Sequence, residues 1–263
     1  MKPYLAIVDA RFRMLLQYRA AAMAGIITQV FWGLIRMMIF EAFYMSSRSP
    51  QPMDLRDVIT YVWLGQAFLG MLPWNTDQEI RQMVRTGTVA YELLKPVDLY
   101  NLWYSRAMAT RTAPTLLRMF PVMLLAGAFF GMRLPPSIAS TVAWIAGMIG
   151  ALFLGCAIST LLNITLLWTI SAEGVNRVTT AAVTIFSGAL IPLPLFPDWA
   201  RHVLDLLPFA GLVDKPYRLY VGNIPPESVF GVLALQLGWA VVLVIAGKMI
   251  LARGTRILVV QGG

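Results

Sequence analysis

IRQMVRTGTVAYELLKPVDLY, residues 80–100, is the longest polar interruption between hydrophobic runs, and its reading sets the arrangement of the chain around it. It carries Arg81, Arg85, Glu92, Lys95 and Asp98, with Gly87 and Pro96 as punctuation. Apolar residues at Ile80, Met83, Val84, Val89, Leu93 and Leu94 recur at spacings that predict short amphipathic helices rather than a solvated linker. Gly87 supplies backbone freedom between them. Pro96 disfavours helix at Lys95 and so sets a break there.

The chain on either side is apolar. Hydrophobic residues make up 58% of the 263 and charged residues only 13%, with a mean hydropathy of +0.68. A soluble domain carries roughly 25% charged residues, so the chain reads as an integral membrane protein. A net charge of +8 would suit a nucleic-acid binder. Here the basic residues cluster at the ends of apolar runs, as the positive-inside rule requires, so the expected contact is membrane lipid and not nucleic acid. Cys156 is the only cysteine and lies within an apolar run, which excludes a disulfide framework and a cysteine metal site and leaves a small packing residue. His202 is the only histidine, so no metal site is expected. Met1–Arg19 is too charged for a cleavable signal peptide.

A helical span needs ~20 apolar residues. Six stretches qualify, at about 21–45, 57–74, 106–132, 138–168, 176–195 and 227–251. The expected fold is therefore an all-α membrane protein with six transmembrane helices in a single domain, 1–263. Residues 1–20 read as an amphipathic interfacial helix. Leu5, Val8, Phe12, Leu15 and Leu16 share one face, and Arg11, Arg13 and Arg19 lie off it, near anionic headgroups. Twelve of the 21 Lys and Arg residues fall on the side bearing both termini and the 75–105 loop, and six on the other, which makes the first side cytoplasmic. Pro192–Pro226 is rich in proline and too short to fold as a soluble domain. It reads as an outer re-entrant segment with an amphipathic helix starting after Pro197 and Asp198.

In span four Ala143, Gly147, Ala151, Gly155 and Ser159 repeat every four residues, a stripe that lets helix backbones approach closely. It serves either packing within the chain or a seam between subunits. Arg36, Glu41, Arg111 and Arg118 fall inside spans, where a charge usually faces protein or water. Arg111, Pro114, Arg118 and Pro121 share one face of span three. Two readings are open: these charges line a translocation route, or they are structural. In the second, Arg36 or Arg118 pairs with Glu41 or bonds to carbonyls, and Arg111 snorkels to the cytoplasmic surface.

No phosphate loop, H-E-x-x-H, G-x-S-x-G or paired-cysteine motif occurs, so the chain is expected to be no enzyme and to carry no cofactor of its own. The basic amino-terminal helix, six spans, amphipathic loop and re-entrant outer segment resemble the permease subunits of type-2 ABC transporters. Within them the chain resembles the branch of uncharacterised export permeases that includes viologen- and drug-exporter-like subunits. Arg85-Thr86-Gly87 and Tyr91-Glu92-Leu93-Leu94-Lys95-Pro96-Val97-Asp98 carry the closer likeness.

That resemblance implies one half of an exporter in a prokaryotic inner membrane. Two copies of a separate ABC ATPase subunit would bind ATP and Mg, and a second permease, identical or homologous, would complete the pathway. It also implies that the 75–105 loop is the coupling element. Leu93 and Leu94 would fill an ATPase groove, and Arg81, Arg85, Glu92 and Lys95 would form its rim. The plainer reading is an interfacial loop whose basic residues meet lipid phosphates. An assembly scaffold that recruits a soluble partner through the same loop, and an enzyme acting on lipids, are the other functional classes.

Overall fold

A computed structural model describes residues 2–17, 19–169 and 173–255, and all side chains within them except those of Lys2 and residues 19–23. Among these residues there is no strand. Eleven α-helices follow in order: α1 Lys2–Leu16, α2 Arg19–Ser46, α3 Leu55–Ala67, α4 Gln78–Arg85, α5 Ala90–Leu93, α6 Leu99–Phe129, α7 Ile138–Thr165, α8 Glu173–Phe186, α9 Asp198–Leu206, α10 Asp214–Val221 and α11 Val229–Gly254. The basic tail from Arg256 onward, and the expected placement of the Arg19 side chain, lie outside the described residues.

Local chemistry sets several helix starts. Asp77 caps α4 by accepting from the amides of Glu79 and Ile80, Asp98 caps α6 through Asn101, and Ser137 caps α7 through Ser140. Among the described residues four helices, within Ala24–Ser46, Leu99–Phe129, Ile138–Thr165 and Pro226–Gly254, are long and apolar enough to cross a membrane. Spans two and five differ from expectation. α3 has 13 residues and α8 has 14, about 20 Å each, short of a ~30 Å hydrocarbon layer. α3 gives way to a tight turn at Leu69–Met71, and Pro73 cannot continue a helix. α8 stops before Gly188, whose φ of 84° is left-handed.

α3 makes up for its length by burial. Trp63 is buried and stacks on Phe130, with ring centroids 4.8 Å apart. Gly33 on α2 leaves the space, since a Cβ there would lie 2.5 Å from the Trp63 ring. Tyr61 meets Tyr217 edge to face.

α7 is the central helix, packed against α6, α10 and α11. Its small-residue stripe faces inward: a Cβ on Gly147 would touch Leu219 and Pro216, and one on Gly155 would meet the Met71 carbonyl at 3.3 Å. Ala143, Ala151 and Ser159 are buried on the same stripe. The stripe therefore packs within the chain, its positions covered by α10 and by the Met71 carbonyl.

A second core closes one end of the bundle. Ile80, Val89, Leu99, Tyr100, Trp103 and Ile164 pack together there, joined by Ile7 from α1 and Leu251 from α11. Both ends of the described chain thus meet at the α4–α5 end.

Candidate functional site

The α4–α5 unit has one buried and one open face. Ile80 and Val89 are fully buried beneath it. Gly87 turns the chain with a φ of 73°, and the Val89 amide bonds back to the Met83 carbonyl at 3.1 Å, closing the turn. On the open face Tyr91 is 68% exposed and Leu94 80%, with Leu93, Lys95 and Pro96 also exposed. Arg85 is exposed and Arg81 half-buried on α4.

Glu92 does not belong to that rim. It is only 3% exposed, its Oε1 pairs with Arg106 at 2.7 Å, and its Oε2 accepts from Trp103 Nε1 at 2.9 Å. Lys95 approaches the same carboxylate at 3.5 Å from the solvent side. The expectation of an exposed Glu92 followed from its charge; burial is possible because a cation and an indole N–H satisfy it.

On α1, Arg11 departs from the expected placement near headgroups. Arg11 faces the loop, pairing with Glu79 at 2.9 Å and Asp77 at 3.4 Å, instead of lipid headgroups. Tyr4 Oη accepts the Asp98 amide at 2.9 Å. The helix is thus bonded at both ends of the loop, at the caps of α4 and α6. From the other side the Asp77 amide donates to Asn163 Oδ1 at 2.8 Å, and the Thr76 amide donates to Asn176 Oδ1 at 3.2 Å. The loop is therefore tied to α1, α6, α7 and α8.

The four charges expected within spans do not form one group. Arg111 and Arg118 line a common cleft of about 500 Å³ together with Arg11, Asp77 and Asn163. Arg36 lies apart and donates to the Ala189 carbonyl at 2.7 Å. Glu41 is half-buried, and among the described residues it pairs with neither Arg36 nor Arg118. Arg111 does not snorkel. It is 8% exposed, donates to the Leu72 carbonyl at 2.9 Å, and also bonds to Ser159 Oγ.

Two polar anchors have no counterpart in the sequence reading. Asp214, fully buried, accepts the Leu193 amide at 3.0 Å and the Tyr61 hydroxyl at 3.4 Å and pairs with Arg218 at 3.2 Å. Burial raises its carboxyl above the ordinary carboxylate range, against the pull of Arg218. Gln236 on α11, also fully buried, donates to the carbonyls of Gly147 and Gly211 at 2.9 and 2.8 Å. The local signal for Asp214 was the i, i+4 pair with Arg218; an isolated glutamine in an apolar helix was the only one for Gln236.

Long apolar helices packed through small residues, with charges bonded inside the fold, define an integral membrane protein. Residues 30–262 match the ABC-2 family transporter protein family, and the chain belongs to that family. It is accordingly a membrane permease component of an ABC-2 transporter, a family that works with ABC ATPases. Comparison with curated proteins and with solved structures returns no match.

Proposed function

We propose that this permease is one half of an ATP-driven exporter in a prokaryotic inner membrane, with both termini cytoplasmic. α3 and α8, each continued by non-helical chain, serve as its second and fifth passes. The observation that carries the reading is the exposed apolar patch of Tyr91, Leu93, Leu94 and Pro96 on a unit whose other face is packed solid. An apolar surface with a charged rim suits a protein groove better than solvent.

Two copies of the ATPase subunit bind ATP and Mg, and each docks on such a patch. A second permease, identical or homologous, completes the pathway. The turn at Gly87 lets α4 and α5 move as one lever. Motion passes to α6 through Glu92 and Arg106, and to α7 through Asp77 and Asn163. This chain contributes no catalytic residue. The cargo is hydrophobic or amphipathic.

The test is gentle solubilisation of the tagged chain from its host, with identification of co-purifying proteins by mass spectrometry. A variant with Leu93, Leu94 and Lys95 replaced by Ser runs alongside. An ABC ATPase recovered with the wild type and lost from the folded variant supports docking through this surface. A monodisperse wild type that recovers no ATPase, or a different soluble protein in its place, favours an assembly scaffold instead.

A further inference from the structure

Two cavities share the side chain of Arg111. The first is the 500 Å³ cleft described above, beside α1 and the 69–79 segment. The second is a groove of about 1050 Å³ between α6 and α7, walled by Phe68, Phe120, Met123, Trp144 and Met148, with Arg133 among its lining residues. Phe120 and Leu124 on α6 and Ile145 and Ile149 on α7 are exposed along it, so the groove faces the lipid. Methionine-rich, aromatic walls of this kind adapt to flexible apolar ligands.

The charge balance of the cleft identifies the ligand's other end. Arg11 is answered by Asp77 and Glu79. Arg111 forms hydrogen bonds only to neutral oxygens, its buried Nε has no partner among the described residues, and the nearby Asp77 carboxylate, already paired with Arg11, reaches it only through space. The buried Nε of Arg118 also has none. Among the described residues neither Arg111 nor Arg118 forms an ion pair. Arg111 is buried and Arg118 half-buried, and a cation withdrawn from water ordinarily has a counter-charge. A cationic cargo would meet two guanidinium groups that are not held in ion pairs, and a neutral one would leave the donors of Arg118 unused.

We propose that this site binds an amphiphile with an anionic head, phosphate or carboxylate, held by Arg111 and Arg118, and a hydrocarbon chain lying in the α6–α7 groove. The proposal rests on the export reading only in making this amphiphile the cargo; binding itself requires no ATPase. The ligand comes either from the bilayer as an anionic phospholipid or from the cell as a free fatty-acid-like molecule.

The experiment uses the full chain in phosphatidylcholine nanodiscs, with 11-(dansylamino)undecanoic acid as the fluorescent probe and its methyl ester as the uncharged control. The acid should bind saturably and about tenfold more tightly than the ester, the order expected for one charge-assisted hydrogen bond. Arg118→Gln should remove that advantage and leave ester binding unchanged. Arg118 makes no hydrogen bond or ion pair among the described residues, so this variant costs the fold only packing against Gly25 of α2, whereas Arg111 holds Leu72 and Ser159. Leu116→Trp, in the groove wall, should weaken both probes.

Equal binding of acid and ester, or acid binding unchanged by Arg118→Gln, overturns the proposal. Adding phosphatidylglycerol separates the sources: displacement of the acid assigns the site to a bilayer lipid, and no displacement assigns it to a free amphiphile. A failure here leaves ATPase co-purification untouched, so the two readings fall separately.

Discussion

Replacing Glu92 with Gln should loosen the α4–α5 unit from α6 without altering its shape. The wild-type carboxylate is almost wholly buried, with Arg106 at 2.7 Å and Trp103 Nε1 at 2.9 Å. Gln keeps one acceptor for the indole but leaves the Arg106 guanidinium, itself only 13% exposed, without its counter-charge. Breaking a fully buried pair costs ~3–5 kcal/mol. Arg106 retains some access to water, and Lys95, more than half exposed, adds little once screened. About 2 kcal/mol is therefore the expected loss.

That loss should fall locally, because α5 is a single turn of four residues with no other ion pair to α6 among the described residues. Hydrogen exchange in nanodiscs reads it directly. Amides of residues 89–97 should exchange about 30-fold faster in the variant, since each 1.4 kcal/mol is tenfold. Amides in α7 should be unchanged. Unchanged exchange across 89–97 would refute the argument that this carboxylate holds the unit down, and uniform acceleration throughout the chain would refute its locality.

Other substitutions separate the remaining contacts. Gly188→Ala puts a Cβ 2.5 Å from Tyr61 Oη at a φ of 84°, and should lower the thermal midpoint in detergent by more than the ~1–2 kcal/mol of left-handed strain alone. Gly155→Leu should destabilise the isolated chain, because the Met71 carbonyl occupies that space. If it instead only dissociated an oligomer, as read by mass photometry, the placement of the stripe within the chain would fail. Arg11→Ala should release α1 from the caps of α4, raising the rate of limited proteolysis between α1 and α2 several-fold while co-purification of α2–α11 fragments persists. Gln236→Leu leaves the Gly211 carbonyl without its donor and removes a second bond from the Gly147 carbonyl, which keeps its helical one within α7, and should cost ~1–3 kcal/mol, read as a lower unfolding midpoint.

Features encoded over a few residues were legible in the sequence. Four of the six apolar runs, the start of α9 after Pro197, the break at Pro96 and the four-residue stripe on α7 all depend on near neighbours, and the structure shows helices, a break and a packed face there. The coarse placement of the 80–100 segment as short amphipathic helices was legible for the same reason. What failed was the partner of most polar side chains, the carbonyl bond of Arg36 being one that the structural reading allowed. Arg11 looked like a headgroup ligand because Asp77, 66 residues away, carries no local mark. Glu92 looked exposed because Arg106 and Trp103, which satisfy it in the core, come from another helix, and Asp214 gave no sign of Tyr61, 153 residues upstream. The lengths of α3 and α8 were overread for a related reason: hydropathy counts apolar residues and does not register that a turn and a left-handed glycine end the helix among them.

Photo-crosslinking through the α5 surface tests the central claim most directly. Leu94 and Leu134 are similarly exposed, at 80% and 87%, but Leu94 lies on the α4–α5 unit and Leu134 on the α6–α7 connection, at the other end of both helices. Benzoylphenylalanine placed at Leu94 in the host membrane should crosslink to an ABC ATPase subunit, and the same probe at Leu134 should not. Crosslinks from Leu94 to lipid alone, or equal ATPase capture from both positions, would contradict docking through this patch.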